Sequence, residues 1–143
     1  MKNFILDPQL ERDSSYCANG PLSQIRLMND RRFPWLLLIP QGTELREITD
    51  LNQHEQQLLL KEINVLANGL RDLFPAVTKL NIAALGNMVA QLHIHIIGRH
   101  AQDAAWPKPV WGQGQAEPYP ALELQQITTR IQTLVGTSFP PQS

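Results

Sequence analysis

Residues 91 to 96 read Gln-Leu-His-Ile-His-Ile, polar and aliphatic side chains in strict alternation. Successive side chains of a β-strand point to opposite faces, so Gln91, His93 and His95 share one face while Leu92, Ile94 and Ile96 share the other. A wholly aliphatic face calls for burial, which places this segment in a sheet covered on one side. Two of the chain's four histidines then stand side by side on the remaining face.

The rest of the chain supplies the sheet and its cover. Gln24 to Met28 largely alternate, and Trp35 to Ile39 form an aliphatic run stopped by Pro40-Gln41-Gly42, which predicts two strands joined through residues 29–32. Asn52 with Glu55 three residues on is a capping pair. Beyond it Leu59, Ile63, Leu66, Leu70 and Leu73 recur at steps of four and three, predicting a helix from Gln53 to Phe74 with Pro75 just past its end. Val77 to Ala84 and Ala90 to Ile97 read as a second hairpin, turned at Leu85-Gly86-Asn87 where a positive φ is favoured. Ile127, Ile131 and Leu134 mark a final helix from Leu122 to Val135, ended by Gly136. Strands, helix, strands and helix define an α+β fold, an antiparallel sheet with a long helix packed on it and a second helix at the C-terminus.

Bulk properties narrow the function. The 143 residues fit one domain spanning 1–143. A net charge of -1 with no basic run argues against a nucleic-acid partner, because phosphate-backbone binding needs clustered Lys and Arg. Cys17, the lone cysteine, rules out an internal disulfide and a CxxC metal knuckle, which favours a reducing, cytoplasmic setting. Phe4-Ile5-Leu6 is too short for a signal-peptide core, and no apolar stretch approaches the roughly 18 residues of a membrane span. A soluble protein acting on small molecules, without a membrane partner, is the expectation.

Two imidazoles on one strand face leave three chemistries open. A metal pair needs a third ligand; His100 has the wrong parity and His54 sits at a helix start. Two structural histidines, satisfied by their neighbours, are the second reading. The third is a nucleophile: neutral imidazole attacks phosphorus when its other nitrogen is held as N–H by a fixed acceptor, and the strand backbone can supply one.

The wider context carries a resemblance. Gln91-Leu92-His93-Ile94-His95-Ile96-Ile97 resembles the signature of the histidine triad (HIT) superfamily of nucleotide hydrolases and transferases, His-φ-His-φ-His-φ-φ with φ apolar, except that Gln91 replaces the first histidine. Upstream, Asn81 to Ala90 is similar to the family's Asn-x-Gly-x-x-x-Gly-Gln-x-Val run, with Asn87 where Gln is common. Met28-Asn29 followed by Leu36 to Pro40 resembles the family's Asp/Asn before a His-φ-Leu-φ-φ-Pro strand, and Trp35 stands in place of that histidine. Gly98-Arg99 and Trp106-Pro107 are similar to elements of the nucleoside phosphoramidase branch. The likeness spans about residues 24–107, leaving a C-terminal extension with a helix over about 121–135.

The resemblance implies that His93 attacks the α-phosphate of a dinucleoside polyphosphate or nucleoside phosphoramidate, giving a nucleotidyl-histidine that water or another acceptor resolves. His95 would bond a phosphate oxygen or help the leaving group. Gln91 would position without carrying a proton, since an amide does not titrate at neutral pH. Asn87 and Asn81 would meet phosphate oxygens or the leaving group, and Asn29 the ribose hydroxyls. Arg99 would meet a distal phosphate or a carboxylate partner, and Trp106 with Trp111 would fold over the site. The likeness implies no cofactor and no bound metal, and it implies a homodimer. Nucleotide binding with little catalysis, or a metal-dependent hydrolase built on the His-x-His pair, are the rival expectations.

Overall fold

The computed structural model describes residues 3–140. Five antiparallel strands form one sheet in the order β1-β2-β3-β5-β4: β1 Ser14–Asn19, β2 Ser23–Met28, β3 Trp35–Pro40, β4 Lys79–Ala83 and β5 Ile94–Arg99. The first three run as a meander, while β5 enters beside β3 and leaves β4 at the edge. Helix α1 (Pro8–Asp13) precedes the sheet, α2 (Gln53–Leu73) joins β3 to β4, and α3 (Ala121–Ser138) closes the chain. The predicted capping box is present: Asn52 Oδ1 accepts from Glu55 N, and Glu55 Oε1 accepts from Asn52 N. No helix of the described residues is long and apolar enough to cross a membrane.

The two sheet faces carry separate cores. Ile25, Leu27, Leu36, Leu38, Ile94 and Ile96 pack with Leu59, Leu66 and Leu70 of α2 and with Ile127 and Ile131 of α3. On the histidine face, Trp35, Leu37, Ile39 and Ile97 meet Leu10 of α1 and Phe33, Ala105 and Val110 from connections. One layer of helices therefore leaves the opposite face for the N-terminal segment and the long loop after β5.

Besides α1, three elements depart from the sequence reading. The second hairpin is looser than predicted, with β4 ending at Ala83 and β5 starting at Ile94, although Gly86 does take a positive φ of 75°. Residues 91–93 stay out of the ladder because Pro40, opposite Leu92 if the β3–β5 register continued, has no N–H to give; Leu92 N donates instead to Leu45 O. Strand β1 carries no period-two signal in the sequence, because a bulge between Tyr16 and Ala18 buries Cys17 and Ala18 together and erases alternation. Helix α3 continues through Gly136 to Ser138, held by buried Val135 and by Phe139 N donating to Val135 O. Glycine ends a helix only where packing does not carry it on.

Candidate active site

His93 and His95 lie at a cleft of about 1120 Å³, walled by α1, the β4–β5 connection with Gly86 and Asn87, and the segment from Val110 to Pro118. That volume suits a nucleotide-sized ligand. The rings are 4.9 Å apart and steeply inclined, both largely buried. His93 Nδ1 lies 2.7 Å from the Gln91 carbonyl oxygen. A carbonyl only accepts, so Nδ1 carries the proton and, in the neutral ring, Nε2 keeps the lone pair. The backbone acceptor required of a histidine nucleophile is therefore present.

His95, two residues on and within β5, has a different partner. Trp35 Nε1–H donates to His95 Nδ1 at 3.0 Å, and Trp111 packs its edge on His95 at 5.0 Å and on Trp35 at 6.0 Å. Burial, reinforced by the nearby His93, pushes the His95 pKa down to about 4. The unfolded chain then binds a proton that the folded chain refuses between about pH 4 and 6.5. The stability this contributes is complete above about pH 6.5 and lost as pH falls through about 4, a change on the order of 3 kcal/mol. Urea unfolding at pH 7 and pH 4 is expected to show a smaller loss for His95→Gln than for the wild type; equal losses would contradict it.

The cleft rim is tied together by residues 29–32. Asp30, 2% exposed, accepts from Arg32 Nε at 3.0 Å and Nη2 at 2.8 Å, while Arg32 Nη1 donates to Gln113 O at 2.6 Å. Asn29 lines the cleft too, its Oδ1 accepting from Tyr119 N at 2.8 Å.

Other expected site residues stand elsewhere. Gln91 does not line the cleft: its Oε1 accepts from Asp7 N at 2.8 Å and its Nε2 donates to Ile5 O at 2.9 Å, so the amide pins the N-terminal segment that carries α1 to the cleft wall. Arg99, Asn81 and Trp106 also lie outside the lining. Buried Arg99 bonds Asp103 through Nε at 2.7 Å and Nη2 at 3.1 Å, Asn81 Oδ1 at 2.8 Å and Lys108 O at 2.8 Å, with Trp106 over its guanidinium at 5.6 Å. Asp103 is the carboxylate that pairs with Arg99. Its guanidinium is engaged by the protein before any phosphate arrives. Burial alone would raise the Asp103 carboxyl; hydrogen bonds from Arg99 and from the Ala105, His100 and Trp106 backbone outweigh it and hold it at about 2.

Sequence reasoning passed over α1, although Asp7 before Pro8 is a helix-start signal: Asp7 Oδ1 caps Gln9 N. Asp7, Gln9, Arg12 and Asp13 all line the cleft. Among the described residues, no group of three His, Cys, Asp or Glu side chains is arranged to hold a metal ion.

A five-stranded antiparallel sheet presenting two histidines beneath a nucleotide-sized cleft defines a histidine-triad type of fold. The HIT domain family matches residues 9–102, and the chain belongs to that family. Among solved structures it is similar to a histidine triad protein of Sinorhizobium meliloti, at 46% identity over 92% of this chain and 96% of that one, with a TM-score of 0.88. A histidine triad protein from Marinobacter aquaeolei is 40% identical over 94% and 97% of the two chains, TM-score 0.89. One from Bradyrhizobium japonicum is 39% identical over 92% and 98%, TM-score 0.88. No relative was found among curated proteins.

Proposed function

We propose that the protein is a nucleotide hydrolase or nucleotidyl transferase acting on a dinucleoside polyphosphate or a nucleoside phosphoramidate. The observation that carries this reading is the 2.7 Å contact of His93 Nδ1 with the Gln91 carbonyl, which leaves Nε2 as the nucleophilic nitrogen. The lone pair of Nε2 forms a bond to the α-phosphorus as the bond to the leaving group breaks, and that group departs with the electron pair. Water or another acceptor then displaces imidazole, and the nitrogen recovers its lone pair. His95 bonds a non-bridging phosphate oxygen. Asn87 and the neighbouring backbone N–H groups line the phosphate side, and Asn29 meets the ribose.

Adenosine phosphoramidate and a diadenosine polyphosphate, offered separately with and without EDTA, test the reading. Turnover of at least one, unaffected by chelator, is expected. Binding without turnover of either would make this a nucleotide-binding protein, and loss of activity with EDTA would make it a metal-dependent hydrolase; both overturn the proposal.

A homodimer is proposed as well. Ile82 on edge strand β4 is 47% exposed, and Leu85 and Met88 just beyond it are 46% and 97% exposed. An open strand edge flanked by apolar side chains invites a second copy. Sedimentation equilibrium is expected to give twice the chain mass; a monomer at micromolar concentration would contradict it.

A further inference from the structure

Two chemically identical side chains in the cleft meet partners that hydrogen-bond in one direction only. The Gln91 carbonyl at His93 Nδ1 only accepts, whereas the indole N–H of Trp35 at His95 Nδ1 only donates. We infer that Trp35 is a positioning residue that fixes His95 with its proton on Nε2, so that His95 meets the substrate as a hydrogen-bond donor and transfers no proton. This rests on the His93 reading above and adds what holds the second histidine.

The geometry leaves Trp35 little freedom. It is buried where β3 begins, on the same face as Leu37, which pairs with His95 across the ladder. Phe33 lies in an edge contact with the indole at 6.5 Å and Trp111 in another at 6.0 Å, so the ring that carries the N–H is packed against two aromatic neighbours besides His95. The resulting tautomers are opposite: Nδ1–H on His93 and Nε2–H on His95. One ring offers phosphorus a lone pair while its neighbour offers a phosphate oxygen a hydrogen. Were Nδ1 of His95 to take the proton instead, its Nε2 lone pair would face negative phosphate oxygens and repel them.

The site also contains charges that any pH test must hold constant. Asp7, Arg12 and Asp13 face the cleft from the N-terminal segment, and Asp30 and Arg32 from the β2–β3 connection, while His93 is the titratable group in ring contact with His95. All are common to the wild type and Trp35→Phe, so the ratio of the two rates cancels their titration. Phenylalanine keeps the ring and removes the N–H.

Nitrogen-15 NMR of the histidine-labelled wild type is expected to show His95 as the Nε2–H tautomer, unchanged from about pH 8 to about 5.5. Trp35→Phe is expected to show mixed neutral tautomers of His95 in that range. Its kcat is expected to fall about 10-fold or more with KM little changed across that range, because burial and the neighbouring His93 still hold His95 neutral and no imidazolium restores the Nε2–H. An Nδ1–H tautomer in the wild type would overturn the inference. So would an unaltered His95 spectrum in the variant, or a variant whose kcat equals that of the wild type. The wild-type spectrum stands even if the variant fails to fold, and it reads the tautomer whether or not the protein turns substrate over, so a failure of the catalytic proposal gives a different result.

Discussion

Alanine at position 93 is expected to lower turnover by about 10⁴-fold or more, about 5.5 kcal/mol of transition-state stabilisation, while nucleotide binding persists. The size follows from what is removed. Without the imidazole the reaction loses its two-step route and must proceed by direct attack of water on phosphorus, while the cleft walls at α1, Asn87 and Asn29 remain. Steady-state kinetics together with nucleotide titration separate the two effects. Unchanged kcat in His93→Ala would remove His93 from the chemistry; lost binding with normal residual kcat would make it a binding residue.

The second large effect concerns stability. Asp103 and Arg99 form an ion pair whose side chains are each 2% exposed. Asp103→Ala leaves a buried guanidinium without its carboxylate, a change expected to cost about 3–5 kcal/mol in urea unfolding. Removing both charges in Arg99→Met with Asp103→Leu is expected to recover much of that loss, since the desolvation of both ions disappears with them. A loss below about 1 kcal/mol in the single variant would mean that water reaches the pair and screens it. Because Arg99 holds Asn81, Lys108 O and the Trp106 ring, this cluster fixes the loop after β5, whose later residues Val110 and Trp111 reach the cleft.

Much of this organisation is readable in the chain itself. Periodicity identified α2 and its Asn52–Glu55 cap because both signals are local, and the alternation that pairs His93 with His95 is matched by rings 4.9 Å apart, although His93 lies just before β5. Long-range pairing is where the sequence falls silent. Gln91 has the parity of a site residue, yet its amide is taken by Ile5 and Asp7, more than 80 residues away in sequence. Arg99 and Asn81 likewise satisfy each other across β4 and β5, a pairing set by the register Lys79 to Arg99 and invisible to composition. In the sequence Trp35 only stands in place of a histidine; its N–H acquires meaning once β3 and β5 are adjacent. The edge strand β1 was hidden by its bulge, and α1 by its six-residue length.

A covalent bond between His93 and the nucleotide is the central step of the proposed reaction. Wild-type protein mixed with an adenosine phosphoramidate or diadenosine polyphosphate labelled at the α-phosphate, quenched in base where a phosphoramidate survives, and digested for mass spectrometry reads that bond directly. The expected result is nucleotide label on the peptide containing His93, absent from His93→Ala. Label on any other residue, or label retained by His93→Ala, would contradict it.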